Sequence, residues 1–161
     1  MKKLVVVLLV VAAALFATAS AVAASGSDVA KGHGTTFFGD PFDFSATASF
    51  SDVGARGSVR LDTAPGATEY TFYGNVTCLR VVGNLAVIGA SVTNISPPVA
   101  AFGTVRSVLL WASDGGKFGS TPDTMTWVSS SSPAPPDGAC PGPLAAPPIS
   151  SGDIVISDAI S

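Results

Sequence analysis

Few residues of this chain are equipped for chemistry. The stretch from Ser113 to Asp123 reads Ser-Asp-Gly-Gly-Lys-Phe-Gly-Ser-Thr-Pro-Asp, with Asp114 near its start and Asp123 at its end. Two carboxylates beside glycine backbone could offer oxygen ligands to Ca²⁺, which takes about six to eight of them. The spacing is not that of an EF-hand, and no third acid is near in sequence. Asp114 and Asp123 are therefore a weak calcium candidate. The plainer reading is a turn, because Asp-Gly and Pro-Asp are ordinary turn formers. No other metal set is visible.

Catalytic sets are harder to find. A serine hydrolase needs a base beside its nucleophile. The single histidine, His33, lies in a Gly-rich stretch near the start, and no G-x-S-x-G elbow is present. A glycosidase needs two carboxylates facing one another across a cleft. The eleven acidic residues fall mostly in turns and at strand ends, and no pair stands out. No phosphate-binding loop precedes a helical pattern. The sequence thus predicts no enzymatic activity and no cofactor.

The two cysteines are Cys78 and Cys140. In an exported chain of this size they read as one disulfide. Closing a loop of about 60 residues would stabilise the fold by roughly 4 kcal/mol on chain-entropy grounds. Two free thiols are the alternative. A metal site lacks the C-x-x-C spacing it would need.

The cysteine reading depends on export, and the first residues address that. Met1-Lys2-Lys3 is a short basic start, and Leu4 to Phe16 is an unbroken apolar run. Small residues follow, with Ala21 and Ala23 at the spacing signal peptidase reads. This is the secretory pattern, with residues 1–23 as the leader. A membrane anchor is the competing reading, but the apolar core is short of the ~20 residues a span needs. No later segment is long and apolar enough to span. The mean hydropathy of +0.50 owes much to this leader. The formal net charge is −3, and Lys2 and Lys3 leave with the leader, so the mature chain is nearer −5. A charge-poor, mildly acidic chain has no electrostatic footprint for nucleic acid. The remaining residues suffice for one domain.

The positioning elements are strands. Residues 24–34 are small, polar and Gly-rich, which predicts a flexible segment. From Thr35 the period becomes two. Phe42, Phe44, Ala46, Ala48 and Phe50 alternate with Asp, Ser and Thr, the pattern of a half-buried strand. A second strand carries Val59 and Leu61 on one face. Tyr70, Phe72, Gly74, Val76 and Cys78 alternate next, and then the phase changes at Leu79 and Val81. One extra residue near Cys78, a β-bulge, would return both sets to one face; a strand apolar on both faces is the plainer alternative. Gly83-Asn84 suits a two-residue hairpin loop. In that register Val81 faces Ala86 and Leu79 faces Ile88, while Arg80 faces Val87 on the solvent side. A further strand from Gly103 to Ala112 sets Val105, Ser107, Leu109 and Trp111 on one face. Thr124 to Val128 continues after the Asp114–Asp123 loop. The alternating aromatics, Trp111 and Trp127 among them, read as core.

Residues 131–151 are rich in proline and serine and cannot form an interior strand. The position of this segment and its Cys140 predict a loop strapped back onto the domain formed by residues 35–130. Asp153 to Ser157, within residues 152–161, reads as a last short strand. No amphipathic helix of normal length follows the leader. The fold class predicted is all-β, an antiparallel sandwich or partly open barrel.

Three stretches together resemble a known group. They are Thr77-Cys78-Leu79-Arg80-Val81-Val82-Gly83-Asn84-Leu85-Ala86-Val87-Ile88-Gly89, then Trp111-Ala112-Ser113-Asp114-Gly115-Gly116, then Pro122-Asp123-Thr124-Met125-Thr126-Trp127. In these the chain is similar to small secreted β-rich proteins of actinobacteria and related bacteria, over about residues 35–130. The proline-rich tail with Cys140 departs from that pattern. The resemblance implies export and a β-rich fold and carries over no catalytic residue. The expected role is structural or interactive, at the cell envelope or outside the cell, with a partner of unknown identity. A barrel that carries a small apolar ligand is the alternative, and it requires an enclosed cavity lined by inward aromatics.

Overall fold

The computed structural model describes residues 26–49, 54–63, 69–98, 104–116 and 121–159. The predicted leader and Phe50 lie outside these residues. Eight strands follow one another: β1 (Ser27–Thr35), β2 (Pro41–Ser49), β3 (Arg56–Asp62), β4 (Thr71–Val82), β5 (Leu85–Ser96), β6 (Ser107–Ser113), β7 (Thr124–Ser130) and β8 (Ser151–Ser157). They form a single antiparallel sheet in the order β7-β6-β5-β4-β3-β2-β1-β8, curled into a half-barrel. The all-β prediction holds, and so does its antiparallel sense. Of the two architectures expected, the separate facing sheets of a sandwich are not what this order describes.

The sheet curls because its two faces differ. One buried cluster collects side chains from every strand, including Ala30, Phe44, Leu61, Phe72, Ile88, Leu110, Met125 and Ile154. Met125 of β7 and Ile154 of β8 stand on strands at opposite ends of the sheet order, so the sheet wraps around this cluster. Phe72 meets Trp127 edge-on, with ring centroids 5.5 Å apart. Burying such side chains contributes roughly 1.5–3 kcal/mol each.

The Gly-rich stretch expected to be flexible is a strand. β1 pairs with β2 on one side and β8 on the other, which makes it internal to the sheet. Its core-facing residues are Ala30 and Gly32, both buried. Small residues give no apolar alternation, so the usual strand signal is missing. The reason lies across the sheet. Gly32 stands opposite both Phe44 and Ile154. A β-carbon on Gly32 would come within 2.7 Å of the Phe44 ring and 3.0 Å of Ile154. The large neighbours fill the space the glycine leaves. Gly34 and Gly152 face one another at positive φ, where a side chain on either would strike the other strand's backbone.

β4 and β5 pair in the predicted hairpin register: Val82 with Leu85, Val81 with Ala86, Arg80 with Val87, and Leu79 with Ile88. The register shifts by one residue between Val76 and Cys78, leaving Thr77 as the extra residue of a bulge. The bulge sends Leu79 back to the core and turns Cys78 to the outer face, where it joins a second small cluster. Val87, expected to face solvent, is only 1% exposed because it lies in that outer cluster. β6 also differs from its expected facing. Val108, Leu110 and Ala112 are its core residues, and Trp111 packs on the outer cluster instead.

Gly32 supplies a direct test. Gly32→Val should lower stability by about 1–3 kcal/mol through overpacking against Phe44. Lys31→Val, its exposed neighbour, should change it by less than about 0.5 kcal/mol. Urea midpoints of the two variants measure the difference, and equal midpoints would remove β1 from the core.

Candidate functional site

The residues singled out for chemistry gather in two places, and each place has a mechanical arrangement. The first is the line where β8 passes the turns of β4 to β7. β8 pairs with β1 along one border, and among the described residues its other border has no neighbouring strand. Amides on that border must find acceptors. Asp123 supplies one: its Oδ2 accepts the Ile154 N–H at 2.7 Å, and its Oδ1 accepts the Gly115 N–H at 2.8 Å. Asp114 supplies another: Oδ2 accepts the Ile156 N–H at 3.3 Å, and Oδ1 accepts the Gly116 N–H at 2.6 Å. All four carboxylate oxygens are thus engaged with backbone donors.

The hairpin tip at Gly83-Asn84 belongs to the same line. The Asn84 side-chain amide donates to Asp114 O at 2.8 Å, and the Asp114 N–H donates to Asn84 O at 3.0 Å. Gly83 N–H donates to Asp158 Oδ2 just beyond β8. Thr124 bridges to Pro148, with Met125 N–H donating to Pro147 O and Ile149 N–H donating to Asp123 O. From Pro147 to Asp158 the chain therefore touches the β6–β7 loop and then the β4–β5 turn in succession. The local sequence explains the geometry: Gly115 and Gly116 free the backbone to fold its amides onto the two acids.

Calcium would have to share these oxygens with the amides they already accept. Among the described residues no group of three or more His, Cys, Asp or Glu side chains is gathered as a metal would require.

The second place is the outer face of β4 to β6. Cys78 and Cys140 form the expected disulfide, with Cα atoms 5.6 Å apart. Together with Val87 and Trp111 they make a small outer cluster. The proline-rich segment crosses this face as a strap. Ser107 Oγ donates to Ser132 O at 2.8 Å, Thr77 Oγ1 to Pro135 O at 2.8 Å, and Trp111 Nε1 to Gly142 O at 3.1 Å. Each bond uses a side chain of the sheet and a carbonyl of the strap, which suits a segment whose prolines lack N–H donors. Gly89 faces Cys78, and a β-carbon there would lie 2.7 Å from the Cys78 sulfur. The absence of that atom lets the strap sit down on the sheet.

His33 lies apart from both places. It is exposed on the outer face of β1, opposite Asp43 of β2 and Asp153 of β8. This row is not legible in the sequence, because the three residues meet only through strand register. Among the described residues, three hollows of about 150 to 190 Å³ lie away from the Asp114 and Asp123 carboxylates and the disulfide, one of them beside Asp43. The largest of the three is lined by Asp28, Ser49, Leu79 and Asp137 among others. Of the core aromatics, Phe42 borders the smallest hollow beside Arg60 and Asp62, and Phe44, Phe72 and Trp127 line none of the three.

Two outcomes test these assignments. Asp123→Ala should lower stability by about 1–3 kcal/mol by orphaning two amides, and by the same amount in EDTA as in millimolar calcium. A loss that appears only with calcium present would make Asp123 a ligand. Cys140→Ser should lower stability by about 2–4 kcal/mol, and non-reducing peptide mapping of the parent chain should recover a fragment joining Cys78 to Cys140.

In comparison with known proteins, no family model, curated protein or solved structure matches the chain.

Proposed function

We propose that this chain is an exported, non-catalytic β-domain with a structural or interaction role at the cell envelope or outside the cell. The observation that carries the reading is the disulfide-fixed strap. Cys78 and Cys140 hold a proline-rich segment across the outer face, and such bonds persist in oxidising compartments. The fate of the candidate chemical residues agrees with it. Asp114 and Asp123 are occupied as backbone acceptors. The secretory pattern of residues 1–23 and the likeness to small secreted β-rich proteins belong to the same reading.

Phe42, Phe44 and Phe72 are packed into the interior cluster, with Trp127 against it, which favours a structural role over a carrier of small apolar ligands. The partner is a component of the envelope or of the surrounding medium, and neither nucleic acid nor a membrane span enters the proposal.

Expression of the whole chain in a bacterial host, followed by fractionation, tests the reading. The expected product is extracytoplasmic, begins at about Ala24 by mass and contains no alkylatable thiol. A cytoplasmic product that keeps residues 1–23 and two reactive thiols would overturn it.

A further inference from the structure

The two borders of the sheet are finished differently. On β8 the Ile154 and Ile156 amides are taken by Asp123 and Asp114. On β7 only the first part is covered. Met125 N–H donates to Pro147 O, and Asp123 O accepts from Ile149 N–H. The chain then departs, and Ser150 N–H donates to Thr35 O. Strand geometry points the peptide groups of alternate residues to the same border. Trp127 and Ser129 therefore present N–H and C=O to the side that Met125 uses. Neither of these amides has a partner among the described residues. The strap that follows Ser130 turns over the outer face toward Ser107, away from this border.

Soluble proteins guard an open border with charge, proline or a bulge. The β7 sequence Thr-Met-Thr-Trp-Val-Ser-Ser contains no charged residue and no proline, and its pairing with β6 runs without a shift. Val128 on its outer face is 48% exposed.

We propose that the open half of β7 is an interface between two copies of this chain, paired antiparallel about a two-fold axis at Val128. The free peptide groups fix the register. An axis through Val128 sets Trp127 opposite Ser129 of the second copy. Each then donates its N–H to the other's carbonyl, and the symmetry repeats the pair, giving four hydrogen bonds. Val128 meets Val128 of the second copy in the non-hydrogen-bonded position, where Cα atoms approach to about 4.5 Å and side chains are closest. Thr126 meets Ser130. No charge faces another, and the exposed valine is covered by its own counterpart. This self-complementarity singles out a second copy among strands that could add to the border. The inference concerns the β7 border alone and holds wherever the chain acts.

So short an interface falls below the area of a standard stable complex, so dissociation constants on the order of tens of micromolar are expected. Sedimentation velocity of the purified chain should show a monomer–dimer equilibrium in that range. Val128→Lys places two ammonium groups across the axis and should weaken the dimer at least tenfold. Val128→Cys should form a covalent dimer on mild oxidation, whereas Val155→Cys, on exposed β8, should not. A chain that stays monomeric at every attainable concentration, or a Val128→Lys variant that dimerises as well as the parent, would overturn the proposal.

Discussion

Everything in this fold depends on how an eight-stranded sheet that curls without zipping shut satisfies its last strand. A closed barrel pairs every amide by construction. Here β8 has β1 on one side and, among the described residues, no strand on the other. Asp123 and Asp114 substitute for the missing neighbour with carboxylate oxygens. A carboxylate is a short-range substitute, so the turns that carry it must sit close to β8. That requirement fixes the β6–β7 loop and, through Asn84, the β4–β5 turn. The core follows from the same constraint, because Ile154 is held against the cluster that Met125 closes.

The outer face repeats this economy with different bonds. An extra residue at Thr77 turns Cys78 outward while returning Leu79 to the core. One irregularity therefore serves both sides of the sheet: it preserves the interior phase and aims a sulfur at the strap. Thr77 itself, displaced by the bulge, donates to Pro135 O. The same principle recurs at Gly89, where a missing side chain admits the disulfide.

How much of this was legible depended on whether a residue's partner was near in sequence. The β4–β5 hairpin was readable next to its turn, from Val82 with Leu85 to Leu79 with Ile88, because two residues join the strands and the apolar faces match there; the second register shift, between Tyr73 and Gly74, was not. The disulfide followed from counting two cysteines. β1 was unreadable for a physical reason: its core positions are Ala30 and Gly32, and the bulk that completes them stands on Phe44 and Ile154. The facing of β6 failed similarly. Leu109 and Trp111 are as apolar as Leu110 and Val108, and only the strap distinguishes the two sides. Asp114 and Asp123 were singled out from the sequence as a weak calcium pair or as turn formers. Their acceptance of β8 amides could not be read locally, because Ile154 and Ile156 lie about thirty to forty residues away.

The pairing of β1 with β8 has a consequence for the order of assembly. The first strand of the sheet to be synthesised forms a ladder with the last, from Val29 with Ser157 to Thr35 with Ser151. Gly26 lies against Ala159, and the Ala159 N–H donates to Asp28 at 3.1 Å. Long-range pairing of this kind gives high contact order and slow folding. The sheet cannot be completed strand by strand in the order of synthesis, since β1 keeps one border open until β8 is available. Until β8 has docked, one side of the β1 ladder stands unpaired, and the sheet waits on the element farthest from it in sequence.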